Sequence, residues 1–174
     1  MYVLRCTQRL LGRLGAGVDP DGMEPEPTTI LGDWYANPLN IGRLRLVLCT
    51  SEKSLLCALV PARGPAGLAD RLRGAVGRLL PRLGIDHSDV QRELREMAWH
   101  QVGRTCSRRV LGSMNDFAFL ADGYIRDDGA GLGMAAAGDV DLDEIALTLA
   151  RAPCSPISYQ SPERFTQALF QGTS

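Results

Sequence analysis

Arg43-Leu44-Arg45-Leu46-Val47-Leu48 alternates polar and apolar side chains, the pattern of a strand with one face buried. Thr50-Ser51-Glu52-Lys53 reads as a turn. Ser54-Leu55-Leu56-Cys57-Ala58-Leu59-Val60 after it is nearly all apolar and suits a central strand. The two pair as an antiparallel hairpin. Pro61 and Pro65 end the second run, since proline has no N–H to offer a ladder.

Upstream, Tyr2-Val3-Leu4 predicts a short first strand. Thr7 caps a helix running from Gln8 to Leu14, and Gly15 ends it with its freedom to turn left-handed. Arg5, Thr7, Gln8 and Arg9 gather at this strand-to-helix turn, where a helix N-terminus favours anions. The same residues serve equally as a cap with solvated arginines. Residues 17–29, with Asp19-Pro20-Asp21-Gly22 and Glu24-Pro25-Glu26-Pro27, read as an acidic flexible loop. Gly32 to Asn40 follows, closed by Asn37-Pro38 as extended or turn structure. Trp34 and Tyr35 there suit either a core with satisfied polar tips or a stacking wall.

Downstream, Leu68, Leu72, Val76, Leu79, Leu80 and Leu83 repeat at helical spacing, with arginines on the other face and Pro81 expected to kink or end the helix near Leu80. Ser88-Asp89-Val90-Gln91 reads as a capping box for a helix with Val90, Leu94, Met97 and Ala98 on its apolar stripe. Gly103 to Ser107 breaks the pattern. A helix then opens at Arg108-Arg109 and buries Val110, Leu111, Met114, Phe117, Ala118 and Ala121. A glycine-rich linker spans about 127–139. C-terminal helices cover 141–171, begun by Asp141 with Glu144 and by Ser161-Pro162-Glu163. Strands first and helices after them predict a single α+β domain over 1–174. Its sheet is small and mainly antiparallel, an N-terminal strand plus hairpin, packed against several helices.

Composition excludes several classes. A net charge of -1 argues against a strongly basic nucleic-acid binder, although a local patch would survive the average. Basic residues are nearly all arginine; Lys53 is the one lysine, which fits a GC-rich genome better than a function. Cys6, Cys49, Cys57, Cys106 and Cys154 show no C-x-x-C spacing, against a disulfide framework or a zinc site. No apolar run approaches the roughly 18 residues of a membrane span, and Met1-Tyr2-Val3-Leu4-Arg5 lacks a signal peptide's apolar region. A reducing, cytoplasmic setting without membrane contact is expected.

The chemistry that remains is arginine, hydroxyl and amide. Gly129-Ala130-Gly131-Leu132-Gly133 lacks the G-x-G-x-x-G spacing and a preceding strand, so no dinucleotide, and no other cofactor or metal, is expected. His87 and His100 fit no motif. Arg104, Thr105, Arg108, Arg109, Ser113 and Asn115 lie near the start of one helix, and helical spacing lets Arg109, Ser113 and Asp116 share a face. Such a set can hold phosphate or carboxylate. It suits proton transfer only if Asp33 or Asp116 has a carboxyl raised by burial. Equally, Asn115 and Asp116 could tie the helix to the Trp34–Asn37 loop as a buried network.

Three blocks, Met1 to Leu11, Leu31-Gly32-Asp33-Trp34-Tyr35-Ala36-Asn37 and Val110-Leu111-Gly112-Ser113-Met114-Asn115-Asp116-Phe117, resemble those of a bacterial family of unknown function. The resemblance spans most of residues 1 to about 120. It implies a small bacterial protein, with some members encoded near plasmid or mobile-element genes, and transfers no catalytic residue. Where that family is expected to carry Asn-Arg-Ser before the third block, this chain has Ser107-Arg108-Arg109.

The expected function is binding of an anionic ligand, nucleic acid or nucleotide. The ligand would lie between the Arg5–Arg9 turn, the Trp34–Asn37 loop with Tyr35, and the Arg104–Asp116 segment, with aromatics stacking on bases. One alternative is a small nuclease or phosphotransfer enzyme of toxin type, with Asp33 or Asp116 as base and Arg109 stabilising charge. Another is a protein-interaction module, an antitoxin or adaptor, engaging a protein partner.

Overall fold

The computed structural model describes residues 1–15, 25–64, 66–129 and 140–172. Among these residues five strands form one sheet: β1 Tyr2–Cys6, β2 Trp34–Ile41, β3 Leu44–Ser51, β4 Cys57–Pro61 and β5 His100–Arg104. Among the described residues six α-helices surround it: α1 Gln8–Leu14, α2 Leu68–Arg82, α3 His87–Glu96, α4 Arg108–Gly129, α5 Leu142–Arg151 and α6 Pro162–Gln171. The fold is α+β. Its sheet is mixed, in the order β4-β3-β2-β1-β5. β1 lies parallel to both β2 and β5, while β2–β3 and β3–β4 are antiparallel.

The hairpin forms as its alternation predicts, with Val47 opposite Val60 and Cys49 opposite Ala58. Its environment differs from the expectation. β3 is buried on both faces apart from Arg45, because helices cover both sides of the sheet. β4 lies at the sheet's edge instead of its centre. Its continuous apolar run is explained by α5, which sends Ala146, Leu147 and Ala150 into one core and Ile145 and Leu149 into the other. A helix touching both cores alongside β4 covers that edge.

Of the two readings of Asn37-Pro38, extended or turn, the structure shows the extended one, and as a sheet strand beyond the expected N-terminal strand and hairpin: β2 runs straight through Pro38. β1 pairs with β2 only as far as Ala36, so from Asn37 onward one side of β2 is free and proline is tolerated. β5 overturns the pattern break at Gly103. Its sequence has one β-branched residue and a glycine, but β1 pairs with it from Tyr2–His100 to Cys6–Arg104.

Smaller corrections follow from local bonding. Thr7 flanks α1 but makes no cap bond; its hydroxyl donates to Asn37 Oδ1 at 3.0 Å. The residue before α3 is Asp86, so Ser88 lies inside the helix, and Ala98 is exposed. α4 continues to Gly129, past the expected start of the linker, whose remainder, 130–139, lies outside the described residues, as do 16–24 of the acidic loop. Pro81 falls within the last turn of α2. Asp141 and Ser161 cap α5 and α6 as expected.

Two cores result. One packs Tyr2, Leu4, Trp34, Val47 and Cys49 against α1, α2 and α3; the other packs Tyr35, Leu46, Leu48 and Leu59 against α4. Alternation along each strand assigns them to opposite faces of the sheet. Among the described residues no helix is long and apolar enough to cross a membrane.

Candidate functional site

β1 and β5 run parallel, side by side, and each is followed directly by a helix. α1 turns to the first core, where Leu10 packs with Leu4 and Cys6. α4 turns to the second, where Val110, Met114 and Phe117 pack with Tyr35 and Leu48. The chain therefore leaves adjacent parallel strands toward opposite faces. In open sheets with parallel strands, this switch at the strands' carboxyl ends is where ligands bind. Here it is bordered by Thr7, Gln8 and Arg9 after β1 and by Thr105 to Arg109 after β5.

Beneath this point lies a buried ion pair. Arg5 donates from Nε to Asp33 Oδ2 at 2.8 Å, and a terminal nitrogen of the same guanidinium lies 2.8 Å from that oxygen. Its other terminal nitrogen donates to Arg104 O at 3.3 Å. Asp33 Oδ1 accepts from Val3 N at 2.9 Å. β1 is thus bonded through side chains to β5 on one side and to the residue that leads into β2 on the other. Gly103 is the neighbour of Arg5 on β5.

Tyr35 lies beside Arg5 in register on β2. Its ring is buried, and its hydroxyl meets the exposed Cys106 thiol at 3.1 Å and Glu52 Oε1 at 3.5 Å. Burial, the bond to Cys106 and the Glu52 charge all push the phenol up; Arg5 opposes them. Arg109 donates to Glu52 O at 2.6 Å and to Pro156 O at 3.5 Å, fixing the start of α4 to the β3–β4 turn. Ser113 Oγ donates to Arg109 O within α4.

The candidates are thus partly united. Arg5, Tyr35 and Arg109 are linked through Asp33, Glu52 and Cys106, Thr7 bonds Asn37, and Gln8, Arg9, Arg104 and Arg108 are exposed. Trp34 does not belong: it is fully buried in the core on the other face, and its indole Nε1 has no hydrogen-bond partner among the described residues. Asn115 and Asp116 are exposed farther along α4 and do not reach the Trp34–Asn37 strand through any described hydrogen bond. Asp33 is committed to Arg5 and Val3.

Sequence reasoning missed Glu93, Glu52 and Cys106. Glu93 is 1% exposed and accepts from Ile30 N at 2.7 Å and Leu31 N at 3.1 Å. It anchors to α3 the loop that delivers Asp33, with Ser51 Oγ donating to Leu31 O at 2.7 Å from the other side. The signal existed: Glu93 sits between Val90, Leu94 and Met97 on the apolar stripe, where a carboxylate must find donors. Nothing in the sequence distinguishes Cys106 from the other four cysteines.

Two surface clefts lie elsewhere, one walled by Leu10, Leu14, Val47 and Leu68, the other by Ile85, Asp86, Gln167 and Phe170. Among the described residues no cluster of histidine, cysteine and carboxylate side chains could hold a metal. A family model described as a domain of unknown function (DUF6933) matches residues 3–165. No curated protein matches the chain.

Proposed function

The chain belongs to the DUF6933 family, and we propose that it binds a small anionic ligand, of the size and charge of a mononucleotide, where β1 and β5 end. One observation carries this reading: α1 and α4 leave these adjacent parallel strands toward opposite faces. The residues bordering that point include Arg9, Arg104 and Arg108, all exposed, and the paired Arg5 beneath them. Guanidinium groups hold phosphate and carboxylate by paired N–H contacts.

A mononucleotide fits better than a nucleic-acid strand. Strand binding draws on exposed rings that stack on successive bases, and both Trp34 and Tyr35 are fully buried. The toxin-type enzyme gains less support, because Asp33 already accepts from Arg5 and Val3 and Asp116 lies farther along α4.

The test is titration calorimetry at low salt against nucleoside mono-, di- and triphosphates, inorganic phosphate and short oligonucleotides. Saturable binding of a nucleotide is expected, weakened roughly ten-fold or more in Arg108→Ala by loss of one charge-assisted contact. No heat from any of these ligands would remove the reading.

A further inference from the structure

Between α1 and α2 lies a surface cleft of about 240 Å³. Leu10 and Leu14 of α1, Val47 of β3 and Leu68 of α2 wall it, with Ala62 just past the end of β4. Leu10, Val47 and Leu68 are buried residues of the first core, and Leu14 and Ala62 pack against it. The cleft therefore opens onto that core, and an aliphatic chain seated in it would extend the core.

Two guanidiniums border this apolar surface, Arg13 from α1 and Arg71 from α2, and among the described residues no carboxylate does. Arg13 is exposed and has no ion pair or side-chain hydrogen bond among the described residues. Arg71 is held in place by neutral groups. It donates to Ala66 O at 2.9 Å and to Gly64 O at 3.1 Å, both on the chain leading into α2. Those bonds leave other N–H groups of the guanidinium over, and its Nε is buried with no acceptor among the described residues.

The other arginines of α2 are treated differently. Arg73 meets Asp70, Arg78 meets Asp143 and Arg82 meets Glu144. Arg71, the arginine at the cleft, meets no acid among the described residues. Its position is fixed and its charge is unanswered, beside a wall that offers only apolar contact.

We propose that this cleft binds a small amphipathic carboxylate, its aliphatic chain against Leu10, Leu14, Val47 and Leu68 and its charge between Arg13 and Arg71. Charge complementarity selects the head, since a guanidinium holds a carboxylate by paired N–H contacts. The apolar walls select the tail. The volume lies below the roughly 300–1,000 Å³ of sites for drug-sized ligands, so the chain is short. The cleft shares no residue with the site proposed at the end of β1 and β5, and neither reading depends on the other.

Titration calorimetry of the full chain with octanoate, octanol and acetate tests the proposal. Octanoate should bind saturably. Octanol keeps the chain without the charge and acetate the charge without the chain; each should bind roughly ten-fold or more weakly than octanoate. Arg71→Gln keeps an N–H donor for the loop carbonyls and removes the charge. It should weaken octanoate roughly ten-fold, as loss of a hydrogen bond to a charged group does. Arg13→Ala alters an exposed side chain without disturbing a described contact, and should weaken octanoate even if Arg71→Gln folds poorly. No saturable heat from octanoate overturns the proposal. So does octanol binding as tightly as octanoate, or an octanoate affinity unmoved by both arginine variants.

Discussion

Arg5 Nε and Asp33 Oδ2 lie 2.8 Å apart, with both side chains almost wholly buried. The pair joins the central parallel strand to the residue that enters β2, directly below the point where the chain switches faces. Removing one partner of a buried pair strands the other charge, which costs about 3–5 kcal/mol. Arg5→Ala and Asp33→Ala should each lower the urea unfolding free energy by about that amount, while Arg5→Met with Asp33→Leu should cost much less. Equal losses in the single and double variants would show that the pair is not what the sheet depends on.

Glu93 gives stability an unusual pH dependence. Burial pushes its carboxyl up, against the pull of the Ile30 and Leu31 N–H groups and of Lys53. A carboxyl raised in the folded state binds a proton more readily there than in the unfolded chain. Its contribution is therefore present at low pH and is lost as pH rises from the ordinary glutamate range through the raised value. The stability of the wild type relative to Glu93→Gln should fall over that window, as read from urea midpoints at successive pH values. A relative stability that rises there instead would mean that the two N–H bonds outweigh burial.

Two phenols should resist alkali. Burial raises Tyr2, and burial with the Cys106 bond raises Tyr35. An exposed tyrosine ionises near pH 10. Absorbance at the phenolate band should therefore stop short of four tyrosines until the protein unfolds, and then complete in a single step. Complete ionisation in the folded protein would contradict the buried placement of these rings.

Thiol reactivity should separate the cysteines. Cys106 is exposed, whereas Cys6 is buried and pushed up to about 12, and burial also raises Cys49, Cys57 and the half-buried Cys154. The thiolate is the reactive form, so a disulfide reagent should modify Cys106 first in the native state, and Cys106→Ser should remove that phase. The same variant should shift the ionisation of Tyr35 downward, since it replaces the thiol bonded to the phenol.

The hairpin, α1, the apolar side of α4 and the caps of α5 and α6 were legible because each rests on local rules: periodicity, a capping side chain, a left-handed glycine. Asn37-Pro38 hid β2, since proline reads locally as a stop; only pairing with β3 along its whole length makes those residues a strand. His100–Arg104 was hidden for the opposite reason. It carries little strand preference and is extended because β1 offers it a ladder.

The sequence by itself determined that this chain is α+β, which segments are apolar enough to be core, and that its polar chemistry is mostly arginine with scattered thiols. Only the tertiary structure decided which of those residues meet. Trp34 and Tyr35 are neighbours in the chain yet lie in different cores, because successive side chains of a strand point to opposite faces. Arg5 and Asp33 are far apart in the chain and form one pair, because β1 and β2 lie side by side. Contacts of that kind are set by strand order and register, which no local pattern encodes.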